Sequence, residues 1–307
     1  MTVGIPVRNC EKTIDETLDC IIRQNYPKDL IEVIVVDDGC TDQTMLLVHN
    51  KLENSELRTQ FIMTGGKGLG TARQSIVANA HGKYIVWVDG DIMLSPDFLT
   101  IQVDFMEKNP LVWQARGSWK PHKAENMAEE LENMTLFRYE SKHSGKGRVS
   151  QKLVGIGGSI CRTAPLRNSG GFDKAIFGAG EDIDVGARMM EKGWLMSFTT
   201  ARFYHKSGTN WRVLWGRYFW YGYGSHYVKH KHKGFIWVWT RTAPVAFLSG
   251  FLQAQRVYVM AHQKKSFLLP LQYVYKQTAW CFGFLRGHLD GYDPDNRRYA
   301  RTNNKNM

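Results

Sequence analysis

The first 110 residues alternate short apolar runs with helical patterns, which restricts the chain to βαβ units around a parallel sheet. Residues 2–7 (TVGIPV) read as the first strand. Thr13 and Glu16 are spaced as a capping box, and Ile14, Leu18, Ile21 and Ile22 mark the buried stripe of a helix. Residues 31–36 predict a second strand, followed by a helix over 41–54 capped by Thr41. A strand near 60–63, the glycine-rich GGKGLG, a helix reaching Ala80 and a strand over 84–88 come next. Residues 96–108 predict a further helix with Pro96 in its first turn.

In such sheets ligands sit beyond the carboxyl ends of the strands. Three acidic stretches fall at predicted strand ends or helix starts: VVDDGCTDQT (35–44), VDGD (88–91) and GAGEDIDVGARMMEKGW (178–194). Each has an ordinary explanation, since Asp-Gly is turn chemistry and acids in a first helical turn offset the dipole. Each also suits catalysis. Asp89 and Asp91 present paired hard oxygens of the kind that Mg²⁺ and Mn²⁺ prefer. Glu181 and Asp182 open a helix with an expected core stripe of Ile183, Ala187 and Met190, where the dipole favours the ionised form a general base requires. GGKGLG matches neither the phosphate-loop pattern nor a dinucleotide fingerprint.

Charge separates the two ends of the chain. Of 40 Lys and Arg and 29 Asp and Glu, residues 201–307 hold 17 and three, a balance of +14 that leaves −3 for residues 1–200. Thirteen aromatic residues lie between Phe203 and Trp239, and two apolar segments, 235–260 and 267–289, follow, broken by Pro244, Pro270, Arg241, Arg256 and Lys276. The longest stretch free of Asp, Glu, Lys and Arg, residues 242–255, is 14 residues long, whereas a spanning helix needs about 17–25 apolar residues. No classical transmembrane helix and no secretory leader are therefore expected. Five cysteines without a Cys-x-x-Cys pair suggest neither a disulfide framework nor a zinc knuckle, and fit a reducing cytosol.

The order and spacing of GIPVRN, VVDDGCTDQT, TARQSIVANAHGKYIVWVDGD, GGSICRTAPLRNSGGFD, GAGEDIDVGARMM and YHKSG resemble the family-2 inverting glycosyltransferases of the GT-A fold. The resemblance covers roughly residues 1–225. It implies an α/β nucleotide-diphospho-sugar transferase fold with a mostly parallel central sheet flanked by helices. Residues 1–205 would form the catalytic domain and 206–307 a basic, aromatic-rich, mainly helical amphipathic region.

The same resemblance assigns roles. Pro6, Asp37, Asp38, Arg73 and Asp89 would contact the nucleotide donor. Asp91, with Asp89 and His205, would hold Mn²⁺ or Mg²⁺. Gly157 and Gly158 would belong to the acceptor loop, and Asp182, assisted by Glu181, would be the base. Processive family members carry a Gln-x-x-Arg-Trp motif; here Trp211 and Arg212 occur in reverse order, so one sugar is expected per reaction.

The expected function is transfer from a UDP- or GDP-sugar to a lipid-linked or glycan acceptor, with the protein in the cytoplasm and peripheral at the cytosolic membrane face. Alternatives are a polyprenyl-phosphate sugar synthase, a nucleotidyltransferase making a nucleotide sugar, and a non-catalytic lipid or nucleic-acid binder. A pure anion binder gains nothing from clustered carboxylates, and no nucleic-acid partner is expected.

Overall fold

The computed structural model describes residues 1–121, 123–143, 155–176, 179–206, 208–233 and 236–294, with backbone alone over 136–143. Gly178 of the GAG loop, Ser207 of YHKSG and Phe235 at the head of the first apolar segment lie outside the described residues. The chain divides into two compact units. One is built on Met1–Lys120, His143–Phe177 and Glu181–Ser207, the other on Pro121–Lys142, Gly178–Gly180 and Gly208–Met307.

The first unit holds eight strands: Thr2–Val7 (β1), Glu32–Asp37 (β2), Arg58–Met63 (β3), Tyr84–Trp87 (β4), Ile92–Leu94 (β5), Val112–Lys120 (β6), Ser159–Arg162 (β7) and Leu195–His205 (β8). They form one mixed sheet in the order β3-β2-β1-β4-β7-β6-β8-β5. Four of the seven pairings are parallel: β1 with β2, β1 with β4, β2 with β3 and β6 with β8. The expected α/β class and mostly parallel sheet are found. Sequence reading placed the β3 start two residues late, because Arg58 and Thr59 carry no apolar signal.

Helices Ile14–Ile22 (α1), Thr44–Glu53 (α2), Leu69–Asn79 (α3), Phe98–Lys108 (α4), Thr163–Asn168 (α6) and Glu181–Glu191 (α7) also belong to this unit. Between the sheet and its helices Trp87, Trp113, Val185 and Met189 pack in one apolar cluster with Ile76 and Phe172. Burying a side chain of this size is worth roughly 1.5–3 kcal/mol.

Several local expectations are corrected. Thr13 makes no capping box: its hydroxyl donates to the Gly90 carbonyl at 2.7 Å, so a tertiary contact replaces the local one. Thr41 does not cap α2, which begins at Thr44; the Thr41 amide donates to Asn9 Oδ1 at 2.8 Å. Pro96 precedes α4, whose N-cap is Asp97. In α7 the buried residues are Glu181, Asp184, Val185, Gly186, Ala187 and Met189, while Ile183 and Met190 are half-buried. The buried Asp184 is possible because its carboxylate pairs with Arg188 at 2.8 Å.

The second unit is helical: Met127–His143 (α5), Trp211–Lys231 (α8), Ala243–Ala261 (α9) and Leu269–Leu289 (α10). Asn210 caps α8, its side chain accepting from the Val213 amide. Pro244 and Pro270 sit in the first turns of α9 and α10, where a missing N–H costs nothing. The composition shift near residue 205 gives no hint that α5 packs in this unit.

Candidate active site

The carboxyl ends of the parallel strands β1, β2 and β4 point the same way, so the loops that follow them gather at one edge of the sheet. The VDGD turn begins there. Its Ile92 amide donates to the Asp89 carbonyl at 3.0 Å, and the Gly90 carbonyl accepts from the hydroxyls of Thr13 and Thr17 at 2.7 and 3.2 Å. Anchored this way from α1, Asp89 and Asp91 keep fixed directions.

Asp89 turns toward Arg73 of α3. One guanidinium nitrogen donates to Asp89 Oδ1 at 3.0 Å and another to Glu181 Oε1. Arg73 and Glu181 are each 3% exposed. A single cation, 108 residues before Glu181, thus links the central acidic motif to the Glu-Asp motif. Burial alone would lower the Arg73 pKa, but Asp89, Glu181 and Asp182 outweigh it and raise it.

The Glu181 carboxyl is also shifted up, which for an acid favours the neutral form. Burial raises it to about 7 against the pull of Arg73, with the Asp182 charge adding to the rise. The pair is therefore lopsided: Arg73 behaves as a well-compensated cation and Glu181 as an under-compensated anion, because one guanidinium serves three carboxylates. The expectation that the helix dipole keeps Glu181 ionised is corrected on this ground. Desolvation of a buried carboxylate exceeds a first-turn dipole effect of about 0.3–1 kcal/mol. Asp182 is half-buried, its Oδ1 accepting from the Ile183 amide at 2.8 Å.

Asp91 turns toward β8. Antiparallel pairing sets Ile92 opposite His205, which brings the ring next to the preceding residue. His205 Nε2 lies 2.9 Å from Asp91 Oδ2, both side chains are 31% exposed, and the Lys206 amide donates to the Asp91 carbonyl at 2.9 Å. Among the described residues no group of three or more His, Cys, Asp or Glu side chains could hold a metal ion. One carboxylate oxygen and one imidazole nitrogen, part-exposed, nonetheless suit an Mn²⁺ or Mg²⁺ that takes its other ligands from phosphate and water.

Asp37 and Asp38 are buried at the end of β2. Asp37 Oδ1 accepts from the Gly39 and Cys40 amides at 3.0 and 2.7 Å, closing the turn. Asp38 Oδ1 accepts from the Thr64 hydroxyl at 2.8 Å, and both its oxygens accept from the Gly68 amide. GGKGLG is therefore fastened to Asp38. Pro6 is buried within β1, opposite Val36.

Gly157 is held close to Asp89. A Cβ there would lie 2.8 Å from Asp89 Oδ2, so any side chain would displace that carboxylate. Gly158 has φ of +71° and donates to the Trp87 carbonyl at 3.0 Å, tying this loop to the end of β4. Sequence reading missed Arg116, whose Nε donates to the Gly157 carbonyl at 3.0 Å and whose guanidinium covers the Phe203 ring. An arginine inside the otherwise uncharged VWQARGSW was the available signal.

The model of "Glycosyl transferase family 2" matches residues 2–168, more than half of the chain. A Staphylococcus aureus poly(ribitol-phosphate) beta-N-acetylglucosaminyltransferase, TarS, is 32% identical over 108 residues, 35% of this chain and 19% of the relative. A Bacillus spizizenii poly(ribitol-phosphate) beta-glucosyltransferase is 32% identical over 112 residues, 36% of this chain and 17% of the relative. The matched segment thus spans under a fifth of these curated relatives.

Among solved structures, S. aureus TarS 1–349 with UDP-GlcNAc has a TM-score of 0.52 at 17% identity, covering 94% of this chain and 91% of that one. The mannosyltransferase PcManGT from Pyrobaculum calidifontis, with GDP-Man and Mn²⁺, has a TM-score of 0.63 at 16% identity, covering 94% and 87%. At such identities the likeness establishes the GT-A fold alone. With the family model covering the strands that carry Asp37, Asp38, Asp89 and Asp91, the chain belongs to glycosyl transferase family 2.

Proposed function

We propose that the protein is a divalent-metal-dependent, inverting glycosyltransferase that moves one sugar from a nucleotide-diphospho-sugar to a hydroxyl of a lipid-linked or glycan acceptor. The observation that carries this reading is the Arg73 bridge: it draws Asp89 and Glu181 together, with Asp91, two residues after Asp89, paired with His205.

The roles follow from the chemistry of each group. Asp91 and His205 would hold Mn²⁺ or Mg²⁺ with help from Asp89. That ion supplies charge neutralisation for the departing diphosphate. Asp38 keeps acceptor capacity for a nucleobase N–H, since a carboxylate has about four lone-pair positions and Thr64 and Gly68 do not fill them. Asp37 and Pro6 complete that end of the donor site. Arg73 orients Asp89 and balances the acids, and Gly157 and Gly158, which lie close against Asp89 and the Phe203 ring, would belong to the acceptor loop.

Asp182, less buried than Glu181, takes the proton of the acceptor hydroxyl as its oxygen bonds to the anomeric carbon. The bond from that carbon to the diphosphate oxygen breaks on the opposite face, so configuration inverts. Solved relatives in complex with UDP-GlcNAc and with GDP-Man and Mn²⁺ support a nucleotide-sugar donor and a divalent ion.

The test is thermal stabilisation by a panel of nucleoside diphosphates with Mn²⁺, Mg²⁺ or EDTA, on wild type and Asp91→Ala. A ligand at 100 times its Kd stabilises the native state by about 2.7 kcal/mol, which is readily detected. Stabilisation by one nucleotide that needs metal and disappears in Asp91→Ala is expected. No response to any nucleotide overturns the proposal.

A further inference from the structure

Helix α9 is turned inside out. Its buried residues are Ala246, Gly250, Gln253, Ala254 and Val257, mostly small or polar. Its large apolar side chains face outward: Phe247, Leu248, Phe251 and Leu252 are 41–58% exposed, and Val259 is 72% exposed. At 100° per residue these fall on one face, interrupted by Gln255 and edged by Arg256. A helix docked on a protein core for the sake of its apolar side chains would show the reverse pattern.

The inward face of α9 joins a small apolar cluster, in which Ala254 and Val257 pack with Leu131, Met134 and Leu269. Gln253 is fully buried, with Nε2 donating to the Met134 carbonyl. The buried Lys276 ammonium lies 2.9 Å from Glu132 Oε2, and buried Gln272 reaches Ala128 and the same carboxylate. The large apolar side chains of α9 are left outside that small core, and a contiguous exposed apolar face marks an interaction surface.

The apolar face continues into neighbouring segments. Trp237 and Trp239, which precede α9, are 59% and 62% exposed, and Phe267, Leu268 and Leu271, which follow it, are 40–64% exposed. The surrounding sequence is basic: no Asp or Glu occurs between Glu191 and Asp290, while Arg241, Arg256, Lys264 and Lys265 fall within this stretch; of these Lys265 pairs with Glu130 of α5. Exposed tryptophans, an outward aliphatic face and adjacent cations are the combination that binds at the level of anionic headgroups. No helix among the described residues is long and apolar enough to cross a membrane.

From these observations we infer that the outer face of α9, with Trp237, Trp239 and the α9–α10 connection, is a docking surface that lies in the interface of an anionic lipid bilayer. The inference is independent of the glycosyl-transfer reading, and the net balance of +14 over residues 201–307 favours anionic lipid over a second copy of the chain, whose like charge would repel it.

The experiment is flotation of the full chain with vesicles of equimolar phosphatidylcholine and phosphatidylglycerol and with phosphatidylcholine alone. Wild type is expected to float with the mixed vesicles and to bind at least tenfold more weakly to the neutral ones. Leu248→Glu with Leu252→Glu, both at exposed positions, is expected to keep the far-ultraviolet circular dichroism and melting midpoint of wild type while losing tenfold or more in binding. A second measurement needs no substitution: brominated lipid should quench part of the tryptophan fluorescence.

Equal flotation of variant and wild type, or no quenching, overturns the inference. Dimerisation in lipid-free buffer that the double variant abolishes, without flotation, also overturns it and assigns the face to a second copy. Nucleotide-dependent stabilisation, measured on the same samples, reports on the glycosyl-transfer reading separately.

Discussion

At the scale of single residues, Arg73 decides how the acids behave. Its removal in Arg73→Met leaves Asp89, Glu181 and Asp182 without their shared cation. Breaking a buried pair this way typically costs about 3–5 kcal/mol. The loss should be full near pH 8 and smaller near pH 5, where Glu181 can take up a proton, and urea unfolding at both values measures it. Glu181 predicts a pH dependence of its own. Its carboxyl is raised from 4.5 to about 7 in the folded chain, so the native state binds the proton more tightly than the unfolded one. Stability from that proton is complete below about 4.5 and lost as pH rises through about 7. Glu181→Gln should therefore flatten the stability profile over that window, and an unchanged slope would remove Glu181 as its source. For the reaction, Asp182→Asn should lower turnover by about 10² to 10⁴ while metal-dependent nucleotide stabilisation persists. Single-turnover kinetics beside the melting assay separates the two. The acidic motifs were legible in the sequence because aspartates at strand ends are local signals. The Arg73 bridge was not, since Glu181 lies 108 residues away and an arginine in a helix carries no mark of its partners.

At the scale of elements, strands were read more accurately than helix ends. A buried strand announces itself by a short apolar run, and β1 was found over the residues expected. Helix starts depend on which partner a hydroxyl or amide finds. Thr13 bonds to Gly90, 77 residues on, and Thr41 to Asn9, 32 residues back, so neither local capping expectation holds. The crossing of α8 and α10 shows the same dependence on distant backbone. A Cβ on Gly222 would stand 1.9 Å from the Trp280 carbonyl oxygen, and one on Gly283 would stand 1.9 Å from that of Phe219. These glycines let two helix backbones touch, and nothing in a glycine's flanking sequence says which it serves. Gly283→Ala is expected to force the helices apart and destabilise the second unit by about 1–3 kcal/mol or more. Guanidinium unfolding followed by tryptophan fluorescence measures this, and a change below half a kcal/mol would mean that the helices separate freely.

At the scale of the whole molecule, charge and cysteine usage were legible without any structure. The assignment of α5 to the helical unit was not, because Glu132 meets Lys276 across 144 residues. All five cysteines are free thiols. Burial raises Cys10 and Cys161 to about 12 and Cys40 to about 11, against an ordinary 9.0, with the neighbouring Asp37 and Asp42 adding to the rise at Cys40. The thiolate is the reactive form, and each unit of pKa is tenfold in its population. Alkylation of native protein near neutral pH should therefore be about a hundredfold or more slower at these three positions than for a free thiol. Unfolding in guanidinium should bring all five to a common rate. Because Cys10 lies against the Gly90 turn that sets Asp89 and Asp91, its labelling rate also reports whether that turn opens. Slow labelling at Cys10, followed by mass spectrometry, is expected of a rigid VDGD turn, whereas labelling as fast as in denaturant would show that the two aspartates are not held in place before a donor arrives.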